Sequence, residues 1–522
     1  MTLPAAGPAS RPASPSGAAP APRPAPRPRV GRFARPYMLG IGGCGMSALA
    51  RLIQSEGVPV RGSDASVTAV TRGLEAHGVP VEPEPAGGAL PEECDGLIAS
   101  AAIKPDHPQM LEAVRRGLPV LTYAEALGAA MTTRTGIAVA GTHGKSTTAA
   151  MLGCALTDAG LDPSVIVGAT CPQLAGGCLG EAEETAFAGF RLGAAEIPSG
   201  PLAGRPGLLC VEACEFNRSF HNYRPLIASV SSVEADHLDI YGSLDAVVEA
   251  FRQFALLVPP AERGGTLLIA HEGAHRREVT AGLECRVETI GYSPGADWVV
   301  HYDPSFRKAT LTNRERGTAV RWTMNLPGEH NAMNAATACA LGQIAGADAE
   351  RLAASLGAFR GIHRRTQLLG ERGGVRVYDD YGHHPTEVDK TLRALREHER
   401  PERRDGRLVC VFQPHQHSRT RFLLEEFATS FGQADVVIVP HIYFVRDSEA
   451  ERAKVSAADL VDRLRRRGIR AMHLYPFEAI VEHLENVCRP GDVLVTMGAG
   501  PVNRIAEAYL ALGGGAGAGG GA

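Results

Sequence analysis

The run Gly141-Thr142-His143-Gly144-Lys145-Ser146-Thr147-Thr148 follows the apolar stretch 137–140. Its glycines let backbone N–H groups approach phosphate oxygens, and the helix expected to begin near Ser146 adds partial positive charge at its N-terminus. Lys145 is placed to reach β- and γ-phosphates, and the Ser146 hydroxyl to ligate magnesium. Val139 stands where the first glycine of the usual phosphate-loop spacing would be, so Gly141 alone serves the turn. A second loop, Gly40-Ile41-Gly42-Gly43-Cys44-Gly45-Met46-Ser47, fits GxGxxG after a strand. Asp64 follows roughly 20 residues on, the distance at which a carboxylate meets a ribose in dinucleotide folds. A nucleotide diphosphate on the first loop and ATP on the second give both a use. A nicotinamide-dependent oxidoreductase would use the first and leave Lys145 idle.

The elements that must position these loops are legible as alternation. Short apolar runs at 37–41, 96–100, 137–140, 226–233, 408–412, 436–440 and 493–497 are separated by helical patterns. Such alternation predicts parallel sheets covered by helices, the α/β class. A β-like run at 58–61 leads to Asp64, and a helix-like segment spans 331–345. At 522 residues the chain exceeds one ordinary core, and about 100 to 200 residues per domain suggests roughly three. The expected boundaries are 37–132, 133–361 and 362–512. Residues 1–36 hold ten of the 36 prolines and no acidic residue, and 513–522 are nearly all Gly and Ala; both read as flexible tails. A net charge of -4 with 44% apolar residues excludes an electrostatic pull towards nucleic acid or membrane, leaving small molecules as partners. No run reaches the ~18 apolar residues a spanning helix needs, and the N-terminus lacks the apolar core of a secretory signal, so a cytoplasmic protein is expected. Eleven scattered cysteines show neither CxxC nor zinc-site spacing and read as reduced thiols.

Taken in order, the two loops, Ser100-Ala-Ala-Ile103, Glu212-Ala-Cys-Glu215, Glu234-Ala-Asp-His237, His330-Asn331, Asp379-Asp380-Tyr381-Gly382-His383-His384-Pro385 and Phe412-Gln-Pro-His415 resemble the Mur ligases. The resemblance covers nearly everything from residue 37 to about 511. It implies three domains: a Rossmann-like N-terminal one, a P-loop ATPase-like central one and a Rossmann-like C-terminal one. The implied reaction uses ATP to phosphorylate the lactyl carboxylate of UDP-N-acetylmuramic acid, after which the amine of L-alanine attacks the acyl phosphate. On this resemblance Gly40, Gly42, Gly43, Gly45, Met46, Ser47, Asp64 and Ser100 hold the UDP sugar. ATP falls to Gly141, Thr142, His143, Gly144, Lys145, Ser146, Thr147, Asn331, Arg364 and Asp379. Ser146, Glu215 and His237 hold Mg2+, and Tyr381, His383, His415 and Arg419 meet the amino acid. Lys145, Glu215, His237, His383 and Arg419 carry the chemistry. A monomer or homodimer is expected.

Each residue also has a plainer reading. Glu215 could be a solvated loop carboxylate, His237 a buried or capping histidine, Asn331 and Asp380 helix caps, and Arg364 with Arg365 a bridge between domains. Four positions depart from the family pattern: Ser232 stands for Asn, Cys214 for an acidic residue, Gln416 for an arginine and His417 for an aromatic. The nearest rival is the recycling branch that attaches a whole tripeptide to the same sugar nucleotide. A catalytically silent nucleotide-binding paralogue would be expected to lose Lys145, Glu215 or His237.

Overall fold

The computed structural model describes residues 33–85, 87–180 and 189–512. The stretches 1–32 and 513–522, read from sequence as tails, lie outside the described residues.

Three sheets carry the chain. The first has five parallel strands in the order Val81–Pro83, Arg61–Asp64, Pro36–Leu39, Gly96–Ala99, Val120–Thr122. The order reverses beside Pro36–Leu39, so the Gly40 loop leaves at the switch point, where a crevice opens at the carboxyl ends of the strands. Phe33 lies inside the stretch read from sequence as a tail, yet it is buried against Gly96, where any Cβ would collide with its ring. The strand near Asp64 lies later than the 58–61 run, at Arg61–Asp64. Gly62 explains this, because a Cβ there would sit 2.1 Å from the Met38 carbonyl oxygen and only glycine permits the strands to close.

The second sheet has ten strands. Its parallel centre places Thr135–Ala140 between Leu208–Glu212 and Ile227–Val230, three strands that end at the phosphate loop. Trp298–Asp303, Lys308–Asn313 and Thr318–Thr323 extend it as an antiparallel ribbon that sequence reading did not single out. The third sheet has six strands, with Val375–Asp380 next to Val493–Met497 and then Leu408–Phe412; only the edge strand Gln367–Arg372 is antiparallel. The fold is therefore the α/β architecture expected, with three sheet-containing units.

One buried cluster runs from Met38, Leu49 and Ile98 through Leu127 and Met131 to Phe220, Phe251 and Phe254, so the first and second sheets share a core. Their contact is close: a Cβ on Gly128 of the helix Tyr123–Met131 would lie 2.2 Å from the Asn222 carbonyl oxygen. The third sheet is packed on both faces by its own clusters. Its link to the second sheet is chiefly polar, and that polar junction is the candidate site.

Candidate active site

The phosphate loop turns on Gly141 and Gly144, which have φ of 132° and 81°. Both are hemmed in, Gly141 by the Ser231 hydroxyl and Gly144 by Asn334, so a side chain would fit neither the conformation nor the space. The helix Lys145–Asp158 follows directly. Ser231 donates from its hydroxyl to the His143 carbonyl at 2.6 Å, and Ser232 accepts from the His143 N–H at 3.2 Å. The serine at the family's asparagine position thus braces the loop. Thr142 donates its N–H to the Ser232 carbonyl and accepts from the Glu234 N–H at 2.9 Å.

Lys145 folds back over the loop. Its ammonium donates to the carbonyls of Gly141 and Thr142 at 2.6 and 3.0 Å and to Glu215 Oε1 at 3.0 Å. Glu215 is 3% exposed, which rules out the solvated-loop reading. Burial opposes the charge on Lys145, yet Glu215 outweighs it and the ammonium is held above its ordinary range. Ser146 does not face Glu215; its hydroxyl donates to Glu212 Oε1 at 2.9 Å, and Glu212 also accepts from the Gly168 N–H.

Glu215, Asp236 and His237 bring one ligand atom each within 4.8 Å of one another. His237 holds a left-handed backbone, φ 52°, in a residue that rarely adopts it. Its side chain makes no capping bond, and burial lowers its basicity, leaving a neutral imidazole. Asp236 received no role from sequence, yet it sits at the centre. Burial alone would raise its carboxyl, but Arg419 and neighbouring imidazoles hold it well below the carboxylate range.

From the third sheet, the strand Val375–Asp380 ends where the helix Pro385–Glu399 begins, with Pro385 in its first turn. His384, not Asp380, is the N-cap, and Glu387 completes a capping box. Alternation along the strand divides the two aspartates. Asp379 turns inward to Thr496 and to Arg364 at 3.0 Å, while Arg364 reaches back to the carbonyls of Gly498 and Gly500. Neither lines the cleft beside the phosphate loop. Their chain neighbours Arg365 and Asp380 do, lining a narrow cleft with His143, Gly144, Thr147, His330, Asn331 and Asn334. Asn331 is buried and donates to the Pro327 carbonyl from within the helix Glu329–Ile344, so it is no cap. Asp380 accepts from the N–H groups of Thr366 and Gly382, and burial pushes its carboxyl up to about 6.

Two polar bridges span the second and third sheets. Arg419 donates to Asp236 at 2.7 Å, and both side chains are under a tenth exposed. His143 lies between Glu234 and Glu387, 3.3 Å from each. Burial works against its charge, but the two carboxylates win and raise it to about 9. Thr386 adds a hydroxyl bond to Glu234 at 2.7 Å. Around these bridges lie neutral imidazoles: burial drops His383 to about 4 and His415 to about 3. His383 Nδ1 lies 3.1 Å from the Tyr381 carbonyl and must donate to it, which leaves Nε2 as an acceptor. Tyr381 itself carries the guanidinium groups of Arg364 and Arg365 over its ring.

The first loop joins the same junction through Tyr123, whose ring fills the space a Cβ on Gly45 would need. Tyr123 is half-buried, and Cys44, Glu212 and Cys214 face it electrostatically. Gly40 packs on Ser100, and Met46 and Ser47 are buried at the helix start. Gly43 is the N-cap residue of that helix. Asp64 is half-buried at the first loop, where Oδ2 accepts from the Gly42 N–H at 2.9 Å and Oδ1 from the Ser66 N–H. Sequence reading gave no role to Glu212, Glu234, Asp236, Glu387 or Tyr123. The signal for the first three was their place in two short acidic motifs already noted.

Three family models match in succession: the Mur ligase family catalytic domain at 35–135, the Mur ligase middle domain at 139–342, and the Mur ligase glutamate ligase domain at 364–500. The chain belongs to the Mur ligase family. As a Mur ligase it is 34% identical over 485 residues to a protein of Caldanaerobacter subterraneus subsp. tengcongensis named UDP-N-acetylmuramate--L-alanine ligase, covering 92% of this chain and 98% of that one. Proteins of the same name from Kineococcus radiotolerans and Streptomyces coelicolor are 38% and 36% identical, over 92% and 91% of this chain and 97% of each relative. Among solved structures, the UDP-N-acetylmuramate-alanine ligase of Thermotoga maritima superposes with a TM-score of 0.69 at 22% identity, over 92% of this chain and 98% of that one. A murein peptide ligase of Psychrobacter arcticus gives 0.64 at 24%, over 92% and 99%. These two establish the Mur ligase fold.

Proposed function

We propose that this Mur ligase joins L-alanine to the lactyl carboxylate of UDP-N-acetylmuramic acid at the expense of ATP, a step of peptidoglycan precursor synthesis. The observation that carries the reading is the convergence of Lys145, Glu215, Asp236, His237, His383 and Arg419 at one junction. The relatives at 34–38% identity supply the substrates. A lactyl carboxylate oxygen attacks the γ-phosphorus and ADP leaves; the alanine amine then attacks the acyl carbon, and phosphate departs with that oxygen.

The phosphate loop supplies backbone N–H groups and the Lys145 charge to the transferring phosphoryl group. Glu215, Asp236 and His237 suit a divalent cation, since hard oxygens and a neutral imidazole are what Mg2+ accepts. Glu215 Oε2 is a buried oxygen beside Lys145 that makes no hydrogen bond of good geometry. Bound there, Mg2+ would offset charge on the phosphoryl oxygens. The Ser146 hydroxyl, expected as a ligand, would first have to leave Glu212. His383 Nε2 is a neutral acceptor suited to the proton the amine sheds. The bridges from His143 and Arg419 exclude water from the acyl phosphate.

The cleft lined by Asn331, Arg365 and Asp380 takes the nucleoside of ATP, and the Gly40 loop takes the UDP diphosphate. Sheet limits and family matches support units at 37–132, 133–361 and 362–512. No helix among the described residues is long and apolar enough to cross a membrane. The nucleotide substrates place the reaction in the cytoplasm, where the enzyme acts as a monomer or homodimer. Phosphate release with Mg2+, ATP and UDP-N-acetylmuramic acid tests the reading. Release should appear with L-alanine and stay at background with the L-Ala-D-Glu-diaminopimelate tripeptide; release only with the tripeptide would overturn it.

A further inference from the structure

All eleven cysteines are free thiols, and three of them, Cys154, Cys171 and Cys178, meet in the buried core of the second sheet. Cys154 lies in the helix Lys145–Asp158, one turn before Asp158 and on the same face. Asp158 accepts from the Cys178 N–H at 2.8 Å, and Gly177 sits so close that a Cβ there would be 2.2 Å from Asp158 Oδ1. Cys178 is thereby pinned beside the face that carries Cys154. The turn that begins at Cys171 is closed by the Leu174 N–H on the Cys171 carbonyl at 3.1 Å. It packs on the same helix, since a Cβ on Gly153 would lie 3.0 Å from the Leu174 side chain. The Cys154 thiol is hydrogen-bonded to those of both Cys171 and Cys178.

Exposure separates the three. Cys154 and Cys171 are fully buried, whereas Cys178 is 8% exposed and precedes Leu179, which is 59% exposed. A water-borne oxidant therefore reaches Cys178 first. The bonds to Cys171 and Cys178, with burial, push the Cys154 thiol well above its ordinary range, so it meets its partners protonated. The segment that carries Cys171 and Cys178 is also a strap between parts of the site. Gly168 donates its N–H to Glu212, and the Thr170 carbonyl accepts from the His363 N–H. Gln173 bonds the Arg360 N–H and the Ala358 carbonyl, on the connection that leads to the third sheet.

We propose that Cys154 and Cys178 are a redox-modification site, closing to a reversible disulfide when the protein meets a peroxide, with Cys171 as the alternative partner of Cys154. The Cys178 sulfur attacks the peroxide and the O–O bond breaks; water leaves with the thiol proton, and a sulfenic acid remains. The Cys154 sulfur then attacks the Cys178 sulfur, the S–O bond breaks, and a second water departs with the Cys154 proton. Two thiols give up two electrons, and one hydrogen peroxide is reduced to two waters. The new bond fixes the strap to the helix that opens at Lys145.

The test treats reduced full-length protein with hydrogen peroxide, blocks the remaining thiols with N-ethylmaleimide, and maps unreduced peptides by mass spectrometry. One bridge should join the peptides of Cys154 and Cys178 with the loss of two hydrogens, and dithiothreitol should restore both thiols. C171S should keep that bridge. C178S should bridge Cys154 to Cys171 at least about tenfold more slowly, because both remaining thiols are buried. C154S, shown to be folded by circular dichroism, should form no bridge within the trio. Oxygen added to Cys178 without a bridge, thiols untouched by excess peroxide, or a bridge seen only after unfolding in urea would each overturn the proposal. So would a bridge between Cys171 and Cys178 in folded C154S, or C178S closing as fast as wild type.

Discussion

Lys145 and the buried Glu215 are paired at the proposed site of phosphoryl transfer, and each depends on the other. Lys145→Ala removes the charge that meets the transferring group, so kcat should fall by about a thousandfold or more. It also leaves Glu215 uncompensated, and breaking a buried pair costs about 3–5 kcal/mol. A lower melting temperature with UDP-sugar affinity retained, measured by calorimetry and equilibrium binding, is the expected result; wild-type turnover would remove Lys145 from the site. At this scale the sequence was informative about residue type and less so about direction. Asp379 and Asp380 face opposite sides because they alternate along the strand Val375–Asp380, whereas Arg364 and Arg365 stand in a turn where Arg364 takes a φ of 60°, and neither arrangement is readable from one chain. Asp64 stands at the spacing of a ribose ligand, and in the fold its carboxylate also accepts from the Gly42 N–H of the first loop.

The helix Pro385–Glu399 shows how an element can be both structure and site. Glu387 caps its first turn, accepts from the His383 N–H, and holds His143 from the neighbouring unit. Glu387→Ala should therefore cost more than a lost cap, about 2–4 kcal/mol in all, read from chemical denaturation. A loss near 1 kcal/mol would mean that the bridge to His143 adds nothing. The helix start was legible because Pro385 suits a first-turn position, and most central strands were legible as β-branched runs. Arg61–Asp64 was misplaced because its residues have low strand propensity, and the ribbon 298–323 lacks the long apolar runs that mark buried parallel strands.

At the scale of the whole molecule, two bridges hold the second and third sheets together, and one of them titrates. His143 has a folded-state pKa of about 9 against an ordinary 6.5, so its stabilisation is fully present below the ordinary value and lost as pH rises through about 9. Glu234 and Glu387 are both held low and stay ionised across that window, and the neighbouring His384 is kept neutral by burial. Wild-type protein should lose melting temperature between about pH 7 and 9.5, and His143→Gln should flatten that loss; parallel curves would show that the bridge does not contribute. Arg419→Ala leaves Asp236 unpaired and should open the junction, which small-angle scattering would register as a larger radius of gyration. Neither bridge was legible from sequence, since His143 and Glu387 are 244 positions apart and only the fold brings them together.

One reaction is proposed for this junction, and the fate of a single oxygen tests it most directly. UDP-N-acetylmuramic acid labelled with oxygen-18 in its lactyl carboxylate would be incubated with ATP, Mg2+ and L-alanine, and both products analysed by mass spectrometry. The expected products are the L-alanyl amide and inorganic phosphate carrying one labelled oxygen. Unlabelled phosphate, or phosphate released without the amide, would contradict it.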